Sequence, residues 1–510
     1  MKQTTKTLLT VGGLAVVALG VAFAAAWAGK DEETKATAKE QSAKVINIDL
    51  PSARDLKLVK AGRLVGEMNR KDDKTPWAII APVRAEADEA AVNGLVTALT
   101  TLRQKSQVDG VDLKQVGLAD ESKARLVLTL TGADGKAETI ALGDDNPFDQ
   151  TVYVHKSGEA GLRLIARSDR APLENELVDL RDKRVFHVEE AAGLSKLIVV
   201  PRGTTLGSPT GDLTGKVAFE VDRDGTSWKL AKPVAMLADG SAIDRMIASL
   251  KGLRAKDVSA DSNEQAVLTQ HGLGDPAFTV TATVNGLDGK TFERKLLVGQ
   301  TLPLGMAVAM KYYAKRDDSP AIFEIDGSIF HDLGRELFEL EDKSLLTIPR
   351  ESVAKIELAS PGQPPLIIAR TKPALPDGGV GDEVFTLTAP RTGPARKYKT
   401  AGLLSSFTQL KAVAPGEPKP ADAKGLAKLG LDSARTVTLF DEGGARLAKV
   451  HLGAESADKK HVYVWVEGRP DVAQIDQSII SDVPKSADEA LEPPAPASTT
   501  PPPPPMPDKR

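Results

Sequence analysis

Apolar and polar residues alternate in short runs along most of this chain, and the runs come back in the same order. Arg125-Leu126-Val127-Leu128-Thr129-Leu130, Thr279-Val280-Thr281-Ala282-Thr283-Val284 and Arg435-Thr436-Val437-Thr438-Leu439-Phe440 each place apolar side chains on every second residue. A period of two predicts a strand with one face buried. Each run is followed by a glycine-containing turn, at Ala133-Asp134-Gly135-Lys136, Asp288-Gly289 or Gly443-Gly444, and then by another alternating run ending in Gly143, Gly299 or Gly453. Turns of this kind predict hairpins. Short further strands are expected around Tyr153, Tyr312 and Tyr463. Opening strands are expected at Lys44-Val45-Ile46-Asn47-Ile48, Lys196-Leu197-Ile198-Val199 and Lys355-Ile356-Glu357-Leu358.

Between these runs the period changes to that of a helix. Val92, Leu95, Leu99 and Leu102 are spaced by three and four, as are Ile243, Met246, Leu250 and Leu253. Such spacing puts one apolar stripe along a helix, to be buried against a sheet. Asp88 and Asp239 stand where a helix N-cap belongs. Before each cap, a strand with a buried aromatic ends in proline, which cannot donate to a ladder: Trp77 with Pro82, Trp228 with Pro233, and Phe385 with Pro390.

The order repeats at long range. The numbering difference is 151 residues for Trp77 to Trp228, Pro82 to Pro233, Asp88 to Asp239, Leu99 to Leu250 and Arg103 to Arg254. From the second copy to the third it is 157, pairing Trp228 with Phe385, Pro233 with Pro390 and Leu250 with Phe407. Gly117-Leu118, Gly272-Leu273 and Gly430-Leu431 each precede an alternating run, and Leu177–Lys183 matches Leu337–Lys343. A period of this length marks duplicated domains rather than a solenoid. The expected architecture is α+β: three tandem homologous repeats, each a mostly antiparallel sheet with a packed helix, over residues 43–190, 191–350 and 351–487.

The two ends differ from the repeats. Leu8 to Ala28 is an uncharged apolar run, long enough to span a bilayer as a transmembrane helix. Lys2 and Lys6 precede it and Asp31, Glu32 and Glu33 follow, which orients residues 1–7 to the cytoplasm and the bulk of the chain to the periplasm, in a single-pass inner-membrane protein. A cleaved signal peptide ending at Ala26-Trp27-Ala28 is the alternative. Residues 29–42 read as a polar spacer and 488–510 as a disordered proline-rich tail.

Composition narrows the chemistry. Lys and Arg number 66 against 70 Asp and Glu, with no basic stripe, which argues against nucleic acid. The chain has no cysteine, so thiolate catalysis, disulfides and cysteine-bound metals are excluded. The histidines, His155, His187, His271, His331, His451 and His461, lack metal-site spacing. His451 and His461 are expected on neighbouring strands, where they could meet. Asp144-Asp145-Asn146 with Asp149 reads as a polar hairpin loop, with calcium binding as the alternative, and Gly207-Ser208-Pro209-Thr210-Gly211 as a turn. The recurring positions are apolar, Gly, Pro or cap residues, so no catalytic, cofactor-binding or metal-ligating set is assigned.

The single N-terminal span, the spacer, and the Trp-x-(Leu/Ile)-x-x-Pro-Val block with its Asp-capped helix ending Leu-x-x-Leu-Arg resemble a domain-of-unknown-function family. Its members are single-span exported bacterial proteins, often encoded beside gliding-type ABC transporter components. The third copy departs from the pattern with Phe385, Arg396 at the cap and Lys411. The resemblance implies an envelope scaffold or accessory protein that works with ABC transporter subunits in gliding or polysaccharide export. A glycan- or peptidoglycan-binding module and a hydrolase with an unrecognised site are the alternatives.

Overall fold

The computed structural model describes residues 43–188, 193–204, 206, 216–286, 289–301, 310–374, 379 and 381–493. The apolar run 8–28, the spacer 29–42, the Gly207–Gly211 turn and the proline-rich segment from 494 lie outside the described residues. Among the described residues no helix is long and apolar enough to cross a membrane.

Repeat 1 forms strands β1 (Ala53–Lys60), β2 (Arg63–Asn69), β3 (Ala78–Ala81), β4 (Ala85–Glu86), β5 (Gln104–Val108), β6 (Leu126–Gly132), β7 (Ala137–Asp145), β8 (Thr151–Lys156) and β9 (Leu162–Ala166). Repeat 2 forms β10 (Gly193–Pro201), β11 (Phe219–Asp224), β12 (Ser227–Lys232), β13 (Met236–Leu237), β14 (Asp257–Asp261), β15 (Phe278–Asn285), β16 (Thr291–Gln300), β17 (Tyr312–Arg316) and β18 (Ala321–Ile325). Repeat 3 forms β19 (Lys355–Ala359), β20 (Leu366–Thr371), β21 (Val384–Ala389), β22 (Gly393–Pro394), β23 (Ala414–Pro418), β24 (Arg435–Phe440), β25 (Arg446–Glu455), β26 (His461–Val466) and β27 (Asp471–Asp476). Each set makes one nine-stranded sheet in the same order, β4-β3-β2-β1-β6-β7-β8-β9-β5 in repeat 1 and its counterparts in the others. Each repeat carries one long helix, α1 (Glu89–Thr100), α2 (Gly240–Gly252) and α3 (Lys397–Thr408). The helix runs between the strands at the two sheet edges.

The alternating pattern explains the layers. In β6 Leu126, Leu128 and Leu130 are fully buried and form one core with Val92, Leu95 and Leu99 of α1. In repeat 3, Val437 and Leu439 share a core with Leu403 and Phe407 of α3. The opposite face of each sheet is covered by the segment holding the Gly-Leu pair, where Leu118, Leu273 and Leu431 are buried. Here glycine is a packing requirement. A Cβ on Gly143, Gly299 or Gly453 would lie 2.1, 2.2 or 2.3 Å from a backbone oxygen of the covering segment. No real side chain fits at that distance, so the three glycines set how closely backbone lies on backbone.

Two expected elements fall elsewhere. Lys44–Ile48 is not the opening strand of repeat 1. Hydrogen-bond register makes Leu56 opposite Leu130 the counterpart of Leu197 opposite Ala282, so the strand is β1. Val45 and Ile46 are fully buried, which is why their pattern looked strand-like, but they fill the core from an irregular segment. The recurring tyrosine of repeat 2 is Tyr313, opposite Gly299, rather than Tyr312.

The seams also fall earlier than the sequence pattern placed them. Lys183 accepts from Ala255 N–H (2.8 Å) and Val185 donates to Leu253 (3.1 Å), both within repeat 2. Lys343 and Leu345 make the same bonds to Ala412 and Leu410 of repeat 3, both at 2.8 Å. Repeat 3 in turn continues to Glu492, whose N–H donates to Pro394 (2.9 Å) after a closing helical turn at Ala487–Ala490. By packing, the chain divides into two units, residues 1–203 with 246–333 and residues 204–245 with 334–510. Each contains the whole of one junction between repeats.

Candidate functional site at the repeat junctions

The recurring signature residues are scaffold. Trp77, Trp228 and Phe385 are 2, 2 and 3% exposed. Trp77 donates through Nε1 to Asn93 (2.9 Å) and Trp228 to Asp244 (2.8 Å), each on its helix. An arginine sits opposite each aromatic: Arg70, Arg223 and Arg370. The Arg70 and Arg223 guanidinium groups lie 4.6 and 5.0 Å from the indole centroids, within cation–π range. These arginines escaped the sequence pattern because they precede the aromatics by 7, 5 and 15 residues, the hairpin loops differing in length.

Pro82, Pro233 and Pro390 each follow a cis peptide bond. Asp88 and Asp239 accept the Ala91 and Ala242 N–H groups, both at 3.0 Å, as helix caps. Arg396 makes no side-chain cap and instead donates through Nε to Leu491 O (3.0 Å). Leu99, Leu250 and Phe407 are fully buried. Arg103, Arg254 and Lys411 bridge by backbone to Lys44, Arg184 and Ser344.

The other candidates separate. His451 pairs in register with Trp465 and stacks on it at 4.7 Å, and burial holds its pKa down. His461 lies at the far end of β26, opposite Asp476, so the two histidines do not meet. Asp145 pairs with Arg167 (3.0 Å) and Arg170, and Asn146 bonds Thr151 (3.3 Å), which makes the acidic run an internally satisfied loop.

Polar chemistry that does not recur gathers at the junctions. At junction 1 the chain leaves repeat 1 along β4, with Asp182 N–H donating to Glu86 O (3.0 Å). Arg181, 4% exposed, forks onto both oxygens of Asp261 in β14 at 2.7 and 2.9 Å. Arg316, 7% exposed, bonds Glu86 (3.0 Å) and the Arg184 carbonyl (3.3 Å). Glu86, Asp182 and His187 bring three potential ligand atoms within 4.8 Å of one another. Both carboxylates are already held by arginines, Glu86 by Arg316 and Asp182 by Arg184 (2.6 Å), so this set works as an ion-pair network. The remaining cavity is about 170 Å³.

Junction 2 uses the same backbone path. Asp342 N–H donates to Leu237 O (3.0 Å), and Ala238 bridges to Glu341 as Ala87 does to Arg181. Between β13 and β23 it holds a cleft of about 590 Å³, walled by Met236, Leu237, Leu345, Pro418 and Pro470. Glu341 projects among them. Burial raises its carboxyl pKa above the ordinary value, with Asp471 adding to the rise and the Lys343 and Arg469 charges opposing it. Arg469 pairs with Asp471 (3.2 Å) and donates to the Ser344 carbonyl (3.3 Å). A second cavity, about 730 Å³, opens beside Arg435 in repeat 3. Its polar groups bond each other: Arg435 to Pro484 O (3.0 Å), and Gln477 to Glu455 (2.7 Å).

One family profile, described as domain of unknown function DUF4340, matches residues 77–215, 228–377 and 386–493. The chain belongs to this family. No curated protein and no solved structure matches it. The DUF4340 matches are out of phase with the folded modules. Each starts at the aromatic strand, and the first two run through the seam into the opening strand of the next module. The first two DUF4340 matches thus take in the junction segments Arg181–Val185 and Glu341–Leu345, each together with the helix that precedes it.

Proposed function

We propose that this protein is an inner-membrane-anchored periplasmic scaffold, an accessory subunit of an ABC-type export system in gliding or polysaccharide secretion. The observation that carries the scaffold reading is the division of labour among residues. Positions shared by the three modules serve burial, turns and close backbone approach, with a side-chain helix cap in the first two, while the side chains that vary stand at the junctions, where a partner can be held. Modules in series offer several faces to one assembly. The anchor is Leu8–Ala28 with its basic flank. The ABC partnership rests on the genomic company of the family that the sequence resembles.

The test is mild crosslinking of intact cells, followed by purification of the full chain from washed membranes. The expected outcome is a protein of full length, retained in the membrane and accompanied by transporter subunits. A soluble, shortened protein recovered alone overturns the reading.

One observation favours a second reading, a hydrolase. Glu341, whose pKa burial raises, and the arginine-paired Asp471 share the cleft wall, and two carboxylates in unlike environments are the usual equipment for glycoside hydrolysis. Release of sugars from purified envelope glycan, abolished in both Glu341→Gln and Asp471→Asn, would establish it. Its absence leaves the scaffold.

A further inference from the structure

Junction 2 replaces each of the four side chains that lock junction 1. Strand register and bridge positions pair Arg181 with Glu341, Asp261 with Pro418, Glu86 with Leu237, and Arg316 with Val466. Both ion pairs across the junction are lost. In their place stand an unpaired carboxylate, a proline and two apolar side chains, one of them, Leu237, 56% exposed.

Charge identifies what would fill the space. The cleft is lined by Glu341, Asp342, Glu417 and Asp471 against Lys343 and Arg469. Both cations are engaged, Lys343 with Asp239 (3.5 Å) and the Glu339 carbonyl (3.3 Å), Arg469 with Asp471 and Ser344. Among the described residues no cation pairs with Glu341, Asp342 or Glu417. Covering Glu341 with an apolar surface would strand a buried charge, whereas a cation would replace what Arg181 supplies to Asp261.

The walls limit the shape of the occupant. A cleft of about 590 Å³ encloses a few side chains. Its sides are the terminal strands of two sheets, and Pro415 and Pro418 deprive β23 of ladder donors. Recognition therefore falls to side chains rather than to strand addition.

We propose that the cleft between β13 and β23 binds an extended segment of a partner protein in which a lysine or arginine is flanked by apolar residues. The cation sits on Glu341, and its neighbours sit on Leu237 and Met236. This deepens the scaffold reading and rests on it.

The probe is p-benzoylphenylalanine in place of Leu237 in the full chain, irradiated in living cells. The adduct is mapped to its peptide. The expected result is attachment to a partner segment with a basic residue within about three positions of the link. Adduct yield should fall at least tenfold in Glu341→Arg and severalfold in the near-isosteric Glu341→Gln. A control probe at Phe148, exposed on repeat 1, should keep its yield. Should Glu341→Arg fail to fold, Glu341→Gln decides. An adduct peptide without a cation, a yield unchanged by Glu341→Gln, or no adduct at Leu237 overturns the proposal. If membrane subunits still co-purify in that case, the cleft assignment alone fails. If nothing co-purifies from the wild type, the scaffold reading fails with it.

Discussion

The two junctions are one backbone device carrying two opposite sets of side chains. In both, the connecting segment pairs first with the short terminal strand of the module it leaves and then with the residues after the helix of the module it enters. Junction 1 fills the space between with Arg181–Asp261 and Arg316–Glu86. Junction 2 leaves it open, with Glu341 and Leu237 at the corresponding positions. Duplication preserved the hydrogen bonds that join modules, because main-chain groups must be paired wherever they are buried. It left the side chains free to diverge. A brace and a receptor have arisen from one arrangement.

The sharpest way to break this comparison is to remove the brace. Arg181→Ala removes a buried guanidinium, 5% exposed, together with its two bonds to the more exposed Asp261, which costs roughly 3 kcal/mol. Amides of Asp182 and Val185 should then exchange roughly a hundredfold faster with solvent, while the amides of Asp342 and Leu345 at junction 2 keep their rates. Equal acceleration at both junctions, or none, would mean that the ion pair does not define junction 1.

The next experiment moves the brace. Glu341→Arg combined with Pro418→Asp rebuilds the Arg181–Asp261 pair across junction 2. A double-mutant cycle should give a favourable coupling of about 1 kcal/mol, below that of the buried original because this cleft is open to water. Additive single effects would show that the two junctions differ in backbone geometry as well as in side chains.

The modules were legible in the sequence because their cores are built from local periodicity. Trp77 to Trp228 and Leu99 to Leu250 hold one spacing without a gap, so burial at one predicts burial at the other. The junctions were not legible. Arg316 meets Glu86 across 230 positions in the sequence, and no local pattern encodes such a contact. Function also moved between positions. The carbonyl that opens each module, of Lys44, Arg184 or Ser344, accepts from Arg163, Arg316 or Arg469 at 3.3 Å in every case. These arginines come from β9, from the end of β17 and from the turn after β26, so alignment of the repeats does not bring them together. The opening strand of repeat 1 is hidden for a related reason. The apolar Val45 and Ile46 mimic a strand, whereas the hydrogen bonds that define one belong to β1.

The smallest expected effect separates a carboxylate that serves the fold from one that waits for a partner. Glu383 accepts from Arg350 (2.7 Å) and Arg370 (3.0 Å), which hold its pKa at about 2. Its stabilising contribution is present above the ordinary carboxylate value of 4.5 and is lost as pH falls from there toward 2. Glu341 has the opposite sign. Its folded-state pKa lies above 4.5, so the native state holds a proton that the unfolded chain has released, and stability declines as pH rises through that window. Glu341→Gln should therefore flatten the decline and, at neutral pH, raise stability by about 0.5 kcal/mol or less. Glu383→Gln should lower stability at neutral pH and remove the loss seen in acid. Chemical denaturation of the full chain between pH 3 and 8, followed by hydrogen exchange within repeat 3 and at junction 2, reads both. A Glu341→Gln variant that is less stable than the wild type at neutral pH would mean that this carboxylate already has a partner inside the chain, and that junction 2 is braced after all.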